Sequence, residues 1–451
     1  MKRSRLYLTG LLGLALLLSA CTQPPPPTNN VGGGDCPPPA ALTQTLGLEL
    51  DEPKGWEEVE ARRVPGRILV RLTPGVSSLS LPVGVESLES PRPGWLVLAT
   101  PEGKESEIGE QLLASGQVNY AQPVYRYKLL YTPNDQYFTY QKGQFELMGL
   151  TAAWDRLLRE ACRPKVAVVD TGADTDHEDL KANLLGGYDF TKSSSEVKDV
   201  DGHGTMVTGI IGAVTKNLIG VAGSTGNLAW VVPLKVFGDD GSGTSEDIAK
   251  AIDYARTEGY HLINLSLCIL SDEDKNNDGH YDCANFEDNP KPDAFIEEAL
   301  KDAYRAGLIA VAASGNDGLN YVGYPASSPY TIAVGSVGLD GKRSSFSNYS
   351  DLLDFVAPGE DVTSTLPDNR YSIPTAGFSW SGTSFATPYV TGVLALYLGQ
   401  YYAEKGALPS FSQAYPCLKN NTNQTDWNEE TGHGVPQADQ VLDTTNDTCY
   451  P

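Results

Sequence analysis

Three residue types that together can activate a hydroxyl group occur in this chain, each in a distinctive local sequence. Asp170 ends the apolar run VAVVD, His203 precedes a helical pattern in DGHGTMV, and Ser384 stands in SGTS before an apolar helix. A serine hydroxyl becomes a useful nucleophile when a neighbouring base removes its proton, and that base works best when a third group orients it. The three residues therefore predict nucleophilic catalysis by an Asp-His-Ser triad.

Ser384 lies at the predicted start of its helix, two residues after Gly382 and four residues before Pro388. Glycine permits a close backbone approach, and proline is tolerated in a first helical turn, where amides lack partners anyway. The Ser384 backbone N–H can then point at a developing oxyanion. This helix start predicts a nucleophile and part of an oxyanion hole.

The elements that must position these side chains follow from alternating patterns over residues 132–451. Continuous apolar strands such as VAVVD and LIAVAAS are separated by amphipathic helices such as SEDIAKAIDYARTEG. This alternation predicts an α/β fold with a mainly parallel sheet covered by helices on both faces. Ligand sites in such sheets lie at the carboxyl ends of the strands. Residues 56–131, with shorter strand-like pieces around one helix, predict a small α/β or α+β domain in front.

The first 21 residues have a basic start and an apolar run that is too short for a mature membrane anchor, so they predict an export signal. The sequence LSAC ending at Cys21 resembles a bacterial lipobox, whose cysteine carries lipid after cleavage. An ordinary cleavage site with a chance cysteine is the alternative. Residues 22–55 are rich in proline and glycine and predict a tether. We expect a cell-envelope lipoprotein, or an extracellular protein after processing.

The composition excludes one class of partner. The formal net charge is −24 and the pI is near 4.5, so the clustered lysines and arginines that nucleic-acid binding needs are not expected. Acidity favours solubility and cation binding instead. We expect a monomer that contacts a membrane only through a lipid on Cys21.

The cysteine count points to disulfides. Six cysteines remain besides Cys21, and an even number in an exported chain favours disulfide bonds, although six allow fifteen pairings. Pairing nearest neighbours in sequence joins Cys268 to Cys283 and Cys417 to Cys449, which leaves Cys36 and Cys162 as partners by elimination.

Four motifs, VAVVDTG, DGHGTMVTG, AASGNDG and SGTSFATPYVTG, resemble in this order the signatures of the subtilase family of serine proteases, over residues 132–440. The resemblance implies a subtilisin-like three-layer fold and serine endopeptidase activity. It implies that Asn316 supplies the side-chain amide of the oxyanion hole. It also implies that residues 56–131 are an α+β, ferredoxin-like propeptide that inhibits the enzyme until it is cut off near residues 130–132. A permanent accessory domain is the alternative.

The same resemblance implies that a protein or peptide substrate binds as an added strand. One edge corresponds to Ser266, Leu267 and Cys268, and the family usually has glycine at the third position. Gly323 and Asp317 correspond to the floor and the rim of the primary specificity pocket. A small floor implies a roomy pocket for large apolar side chains, and an acidic rim implies tolerance of basic ones.

An acidic insertion after Cys268 predicts a calcium loop. Its oxygen-bearing side chains and one glycine follow calcium-loop spacing, but Asn285 stands where the closing glutamate would be. A solvated acidic loop is the alternative. The matching positions 1, 3, 5, 6 and 9 are Asp274, Asn276, Asp278, Gly279 and Asp282.

Two further calcium sites are implied by the resemblance alone, and both would brace loops without taking part in the chemistry. The tight site would use the side chains of Asp135, Asp179 and Asn217 with the backbone oxygens of Val214, Ile219 and Val221, and the weaker site would use Asp354.

Each motif taken alone is more often a turn or a cap than a catalyst. His433, for example, also stands in a Gly-His-Gly sequence, but its surroundings resemble a C-terminal turn of the family, and we assign it no catalytic role. Taken together, the motifs predict an exported serine endopeptidase made as a zymogen. The alternatives are a catalytically idle, calcium-braced binding module with the same fold, and an esterase with the same triad.

Overall fold

A computed structural model provides the structure of the chain, which divides into two compact units, one ending at Arg126 and the other beginning at Tyr127. The predicted signal, the lipobox, nearly all of the tether and the predicted cleavage region lie outside the described residues. So does most of the predicted calcium loop. The described residues are 55–56, 63–90, 92–125, 132–158, 161–271, 282–284, 293–374 and 380–451.

In its described residues, the smaller unit is a five-stranded sheet with one helix packed on it. The strand order is β1-β5-β2-β4-β3, with β1 parallel to β5 and the other pairs antiparallel. Ile68, Leu98 and Leu112 are among its fully buried core residues. Its elements are β1 (Gly55–Trp56), β2 (Arg63–Leu72), β3 (Glu86–Glu89), β4 (Trp95–Ala99), α1 (Glu105–Ala114) and β5 (Val118–Tyr125).

This unit is α+β, as predicted, but it departs from the ferredoxin-like pattern in one connection. That pattern places a helix after its first strand and a second helix after its third. Here α1 joins β4 to β5, whereas residues 73–85, which join β2 to β3, form no helix. The segment, TPGVSSLSLPVGV, contains two prolines and two glycines, and these residues disfavour a continuous helix.

The larger unit is built on a seven-stranded, entirely parallel sheet of order β12-β11-β10-β9-β6-β8-β7. This confirms the predicted α/β architecture. Its elements are α2 (Phe138–Leu147), α3 (Leu150–Trp154), β6 (Lys165–Asp170), β7 (Tyr188–Asp189), α4 (His203–Gly212), β8 (Trp230–Lys235), α5 (Ser245–Thr257), β9 (Leu262–Leu265), α6 (Ala294–Arg305), β10 (Ile309–Ala313), β11 (Thr331–Val337), β12 (Phe355–Pro358), β13 (Thr365–Leu366), β14 (Arg370–Tyr371), α7 (Thr383–Lys405), α8 (Phe411–Lys419) and α9 (Ala438–Val441).

Helices cover both faces of this sheet. Helices α4 and α7 pack together on one face, while α5 and α6 pack together on the other. Strands β9, β10 and β11 are buried along their whole lengths, which explains why their sequences are continuously apolar. Helix α7 is buried almost throughout, so its polar N-terminal residues are held at a fixed place over the sheet.

Two disulfide bonds link the predicted nearest neighbours, Cys268 to Cys283 and Cys417 to Cys449, which confirms both pairings. Cys36 lies outside the described residues. Within those residues, Cys162 is half-buried and carries no disulfide. No helix in the described ranges is both long enough and apolar enough to cross a membrane.

Candidate active site

The carboxyl ends of neighbouring strands bring five sequence-predicted residues to one cavity. Asp170 ends β6, Ser266 follows β9, and Asn316 lies three residues after β10. His203 begins α4, and Ser384 is the second residue of α7. All five line a cavity of about 280 Å³. The parallel sheet therefore assembles side chains that are far apart in the sequence.

Asp170 and His203 form a direct contact. The imidazole Nδ1 lies 2.7 Å from Asp170 Oδ1, and the Thr171 backbone N–H donates to the same oxygen at 2.7 Å. The Asp170 side chain is 2% exposed and that of His203 is 23% exposed, so the contact is shielded from water while the imidazole still reaches the cavity. With Nδ1–H donated to the carboxylate, Nε2 is the nitrogen free to accept a proton.

The charges around His203 change its basicity. Burial lowers the pKa of the imidazole, but the charge and hydrogen bond of Asp170, together with the charges of Asp201 and Asp199, outweigh burial and hold the pKa above its ordinary value of 6.5. A general base acts in its unprotonated form. His203 is therefore poised to take up a proton and to stabilise the resulting imidazolium beside Asp170.

Asp199 is a residue of this site that the sequence motifs did not single out. Its buried carboxylate accepts hydrogen bonds from Thr171 Oγ1 at 2.9 Å, Gly202 N at 3.0 Å and Thr205 N at 2.8 Å. Burial raises the pKa of Asp199, but these hydrogen bonds outweigh burial and hold the pKa below its ordinary value. The carboxylate joins the end of β6 to the start of α4, and so positions His203. The sequence signal that could have identified Asp199 is an acidic residue four positions before His203.

The Ser384 hydroxyl lies in the cavity beside a second strand end. Its Oγ donates to the Ser266 carbonyl oxygen at 3.3 Å, and within the described part of the chain it hydrogen-bonds Ser266 rather than His203. Catalytic hydrogen bonds are often long in ligand-free enzymes and tighten when substrate binds. The structure thus places nucleophile and base in the same cavity without joining them directly.

Pro388 has a different role from the predicted one. It is the sixth residue of α7 and lies beyond the first turn, so its missing N–H leaves the Ser384 carbonyl without the usual helical donor. The Ser266 hydroxyl supplies that donor at 2.7 Å. Asn264 Nδ2 in turn donates to Ser266 Oγ at 2.9 Å, and Thr391 Oγ1 donates to Asn264 Oδ1 at 2.9 Å. This buried chain of hydrogen bonds fixes the backbone of Ser384.

The side-chain amide of Asn316 is oriented by Thr383. Asn316 Oδ1 accepts from the Thr383 backbone N–H at 2.8 Å and from Thr383 Oγ1 at 2.9 Å. The NH₂ group therefore points away from Thr383, and a Cβ added at Gly382 would lie 3.6 Å from Asn316 Nδ2. The amide thus presents a donor close to Ser384, as an oxyanion hole requires.

The predicted substrate edge lines the cavity, and a cysteine lies over the predicted floor of the pocket beside it. Ser266, Leu267 and Cys268 all border the cavity. The space over Gly323 is filled, because a Cβ added there would lie 2.9 Å from Cys283 Cβ. Cys283, which comes from the acidic insertion, therefore lies between Gly323 and the cavity, and the roomy pocket stays a prediction.

Asp317, predicted as the acidic rim of the pocket, is held by neighbouring protein groups. Its Oδ2 accepts from Cys283 N at 3.1 Å and from Asn348 Nδ2 at 2.7 Å. Burial raises the pKa of the Asp317 carboxyl above its ordinary value. The carboxylate is an internal acceptor that holds the pocket wall.

The residues predicted for the tight calcium site converge on one loop. Asn217 Nδ2 donates to Asp179 Oδ1 at 2.6 Å, and the Val221 N–H donates to Asp179 Oδ2 at 2.8 Å. Asp135 accepts from the Lys216 N–H at 2.8 Å. Burial raises the pKa of Asp179 to about 7, and the nearby charge of Asp135 adds to the increase. Two further predicted positions contribute backbone N–H groups to this loop. The Val214 N–H donates to the Asp179 carbonyl oxygen at 2.7 Å, and the Ile219 N–H donates to Asn217 Oδ1 at 3.0 Å.

Asp354 and Asp282 belong to the two other predicted cation sites. Asp354 Oδ1 accepts from Tyr415 OH at 2.6 Å and Asp354 Oδ2 accepts from the Ala333 N–H at 2.8 Å, so both oxygens bond protein groups. Asp282 is buried near Asp317. In the described ranges, no three His, Cys, Asp or Glu side chains cluster as a metal site. Asp274, Asn276, Asp278 and Gly279 lie outside the described residues.

Several known proteins are similar to this chain in sequence or in fold. The chain is 38% identical over 284 residues to a thermophilic serine proteinase from Bacillus sp. (strain AK1), an alignment that covers 63% of this chain and 64% of that protein. It is 36% identical over 270 residues to thermitase from Thermoactinomyces vulgaris, which covers 60% of this chain and 86% of that protein. A solved protease structure from Pseudoalteromonas arctica matches with a TM-score of 0.57 and 28% identity, and covers 70% of this chain and 100% of that one.

The profile of the Subtilase family matches residues 163–434, which is more than half of the chain. This match contains β6 with Asp170 and the α7 helix start with Ser384, and the parallel sheet described above lies largely within it. The chain belongs to the subtilase family (peptidase S8).

Proposed function

We propose that this protein is an exported serine endopeptidase that acts as a monomer and hydrolyses peptide bonds through an acyl-enzyme. The observation that carries the proposal is the 2.7 Å contact between Asp170 and His203 at a cavity that Ser384 and Asn316 also line. The family relationship supports the same activity, since the Bacillus relative is named a serine proteinase and the matched solved structure is described as a protease.

In the first half of the reaction, His203 Nε2 takes the proton of the Ser384 hydroxyl as Oγ attacks the carbonyl carbon of the substrate. Negative charge moves to the carbonyl oxygen, where the Asn316 amide and the Ser384 backbone N–H donate hydrogen bonds. Asp170 stabilises the imidazolium that forms. The protonated His203 then gives its proton to the departing amine, which leaves an ester on Ser384.

In the second half, a water molecule takes the place of the amine. His203 removes a proton from this water as it attacks the ester carbon, and the same donors stabilise the second oxyanion. Collapse of the intermediate returns the proton to Ser384 Oγ and releases the acid product. Asp199 takes no part in proton transfer, and its hydrogen bonds keep the start of α4 in place.

Casein hydrolysis tests this function. Wild-type protein should release peptides, and Ser384→Ala should not. The matched control is Ser412→Ala, which removes the hydroxyl of a serine on α8 and should leave turnover unchanged. Equal turnover by wild type and Ser384→Ala would contradict the proposal and would favour a binding module or a contaminating protease.

We further propose that residues 56–131 are a propeptide that inhibits the enzyme until self-cleavage near residues 130–132, and that Cys21 carries lipid. The smaller unit is compact by itself and ends at Arg126, which supports a separate segment in front of the larger unit. Intact-mass measurement and N-terminal sequencing test both ideas. Wild type should lose the segment, whereas Ser384→Ala should keep it, and a lipid mass should appear on Cys21. An uncleaved, active wild type would instead indicate a permanent accessory domain.

Calcium is the proposed structural cofactor at Asp135, Asp179 and Asn217, with a second calcium ion in the acidic loop. The donors at the first site are oxygens, which calcium prefers, and among the described residues no salt bridge joins either buried carboxylate to a lysine or an arginine. When bound, calcium would brace this loop. Thermal unfolding tests the proposal.

Calcium at a hundredfold excess over Kd should stabilise the Ser384→Ala protein by about 2.7 kcal/mol. Asp179→Asn should abolish this gain, whereas Asp351→Asn, at an exposed acid, should keep it. An unfolding temperature that does not change between calcium and a chelator would contradict the proposal.

A further inference from the structure

The proposed reaction fixes where the substrate side chain before the cleaved bond must go. The carbonyl carbon lies at Ser384 Oγ and its oxygen faces the Asn316 amide. The adjoining side chain then enters between the segments that follow β9 and β10, which are neighbouring strands of the sheet. Gly323 closes the bottom of this gap, since its N–H donates to the Ser314 carbonyl at 2.8 Å.

Cys283 occupies the bottom of this gap. A Cβ added at Gly323 would lie 2.9 Å from Cys283 Cβ, and a Cβ added at Gly315 would lie 3.0 Å from Cys283 Sγ. Cys283 is 6% exposed and lines the active-site cavity together with its disulfide partner, Cys268. The sulfur bridge therefore lies against both the floor and one wall of the pocket.

The backbone of Cys283 is anchored to the pocket itself. Its N–H donates to Asp317 Oδ2 at 3.1 Å, and its carbonyl accepts from Tyr321 OH at 2.6 Å. Neighbouring backbone bonds join Ser271 N to the Asp282 carbonyl at 2.8 Å and Ala284 N to the Ile269 carbonyl at 2.7 Å. With the disulfide, these bonds hold Cys283 as a fixed part of the wall.

We propose that the Cys268–Cys283 disulfide determines the primary specificity of the enzyme by filling the bottom of the pocket. The enzyme then cleaves after small side chains such as alanine and excludes phenylalanine, whose ring would overlap the space held by Cys283. This inference rests on the proposed protease function. It replaces the expectation of a pocket for large apolar side chains.

Peptide anilides that differ only in the residue before the cleaved bond test the proposal on wild-type protein. The ratio of kcat/KM for alanine over phenylalanine should be at least about tenfold, because a hydrophobic pocket discriminates by roughly 10- to 200-fold for small differences in fit. Equal or preferred cleavage after phenylalanine would overturn the proposal, and this arm needs no variant to fold.

A double variant, Cys268→Ser with Cys283→Gly, removes the bridge and the atoms nearest to Gly323. It should lower the alanine-over-phenylalanine ratio about tenfold. The matched control, Cys417→Ser with Cys449→Ser, removes the other disulfide and should leave the ratio unchanged. An unchanged ratio in the pocket variant, or an equal change in both, would overturn the proposal.

Active-site titration with a fluorophosphonate distinguishes a failure of the specificity inference from a failure of the proposed protease function. A labelled wild type with no preference for alanine would refute the disulfide's role while leaving the protease function intact. A wild type that is neither labelled nor active on any peptide would refute the protease function, and the specificity inference would fall with it.

Discussion

The two sides of the active-site cavity are held by different kinds of contact. On the catalytic side, Asp170, His203 and Asp199 are positioned by short polar contacts among strand ends and a helix start. On the pocket side, the wall is shaped by the Cys268–Cys283 bridge, which brings in a segment from an insertion. The difference teaches that the catalytic residues and the pocket wall are held by separate contacts. Mutations should therefore change the reaction rate without changing the cleavage preference, and the reverse.

The largest effect should come from the catalytic side. His203→Ala removes the base, and kcat should fall about 10⁶-fold, a loss taken by analogy from subtilisin, where such a value was measured. His433→Ala removes the other histidine in a Gly-His-Gly sequence and should keep activity within a few-fold. Steady-state kinetics on one peptide anilide measure both. Comparable losses in the two variants would remove the basis for assigning His203 as the base.

A smaller loss should follow from Asn316→Ala, which removes one oxyanion donor. We expect kcat to fall about 10²- to 10³-fold, again by analogy with subtilisin, with KM little changed because the donor acts on charge that develops in the transition state. Asn320→Ala is the matched control at an exposed asparagine. A raised KM with unchanged kcat would instead assign Asn316 to ground-state binding.

The two disulfides should separate stability from selectivity. In the Ser384→Ala background, which prevents self-digestion, breaking Cys417–Cys449 should cost about 4 kcal/mol on the loop-entropy model, and breaking Cys268–Cys283 about 3 kcal/mol. Urea unfolding measures both losses. If, in the protein with Ser384 intact, loss of each bridge shifts the cleavage preference equally, stability rather than pocket shape controls selectivity.

The smallest effect concerns pH. Because the neighbouring acids hold the pKa of His203 above 6.5, the acidic limb of kcat/KM should have its midpoint above pH 6.5. Asp201→Asn removes one of those charges and keeps an oxygen for the His203 N–H, which donates to Asp201 Oδ1 at 3.1 Å. The midpoint should therefore move to lower pH. Asp240→Asn, at an exposed acid, should not move it, and an upward shift in Asp201→Asn would contradict the electrostatic argument.

The catalytic side could be predicted because its signals are local. A buried acid that ends an apolar strand, and a serine at a helix start, are visible in short stretches, and parallel strands bring their ends together. The pocket side could not be predicted, because the position of Cys283 over Gly323 depends on contacts with residues distant in the sequence, such as the hydrogen bond from its N–H to Asp317. The role of Pro388 could not be predicted for a related reason. The helical hydrogen bond that its missing N–H leaves unmade is replaced by one from Ser266, more than a hundred residues away in the sequence.

The most direct test of the central claim is the site at which a fluorophosphonate probe attaches. The account predicts a single adduct on Ser384 in wild-type protein, strongly slowed labelling in His203→Ala, and none in Ser384→Ala, as read by peptide mass mapping. An adduct on another residue, or equal labelling of wild type and Ser384→Ala, would contradict the assignment of Ser384 as the nucleophile.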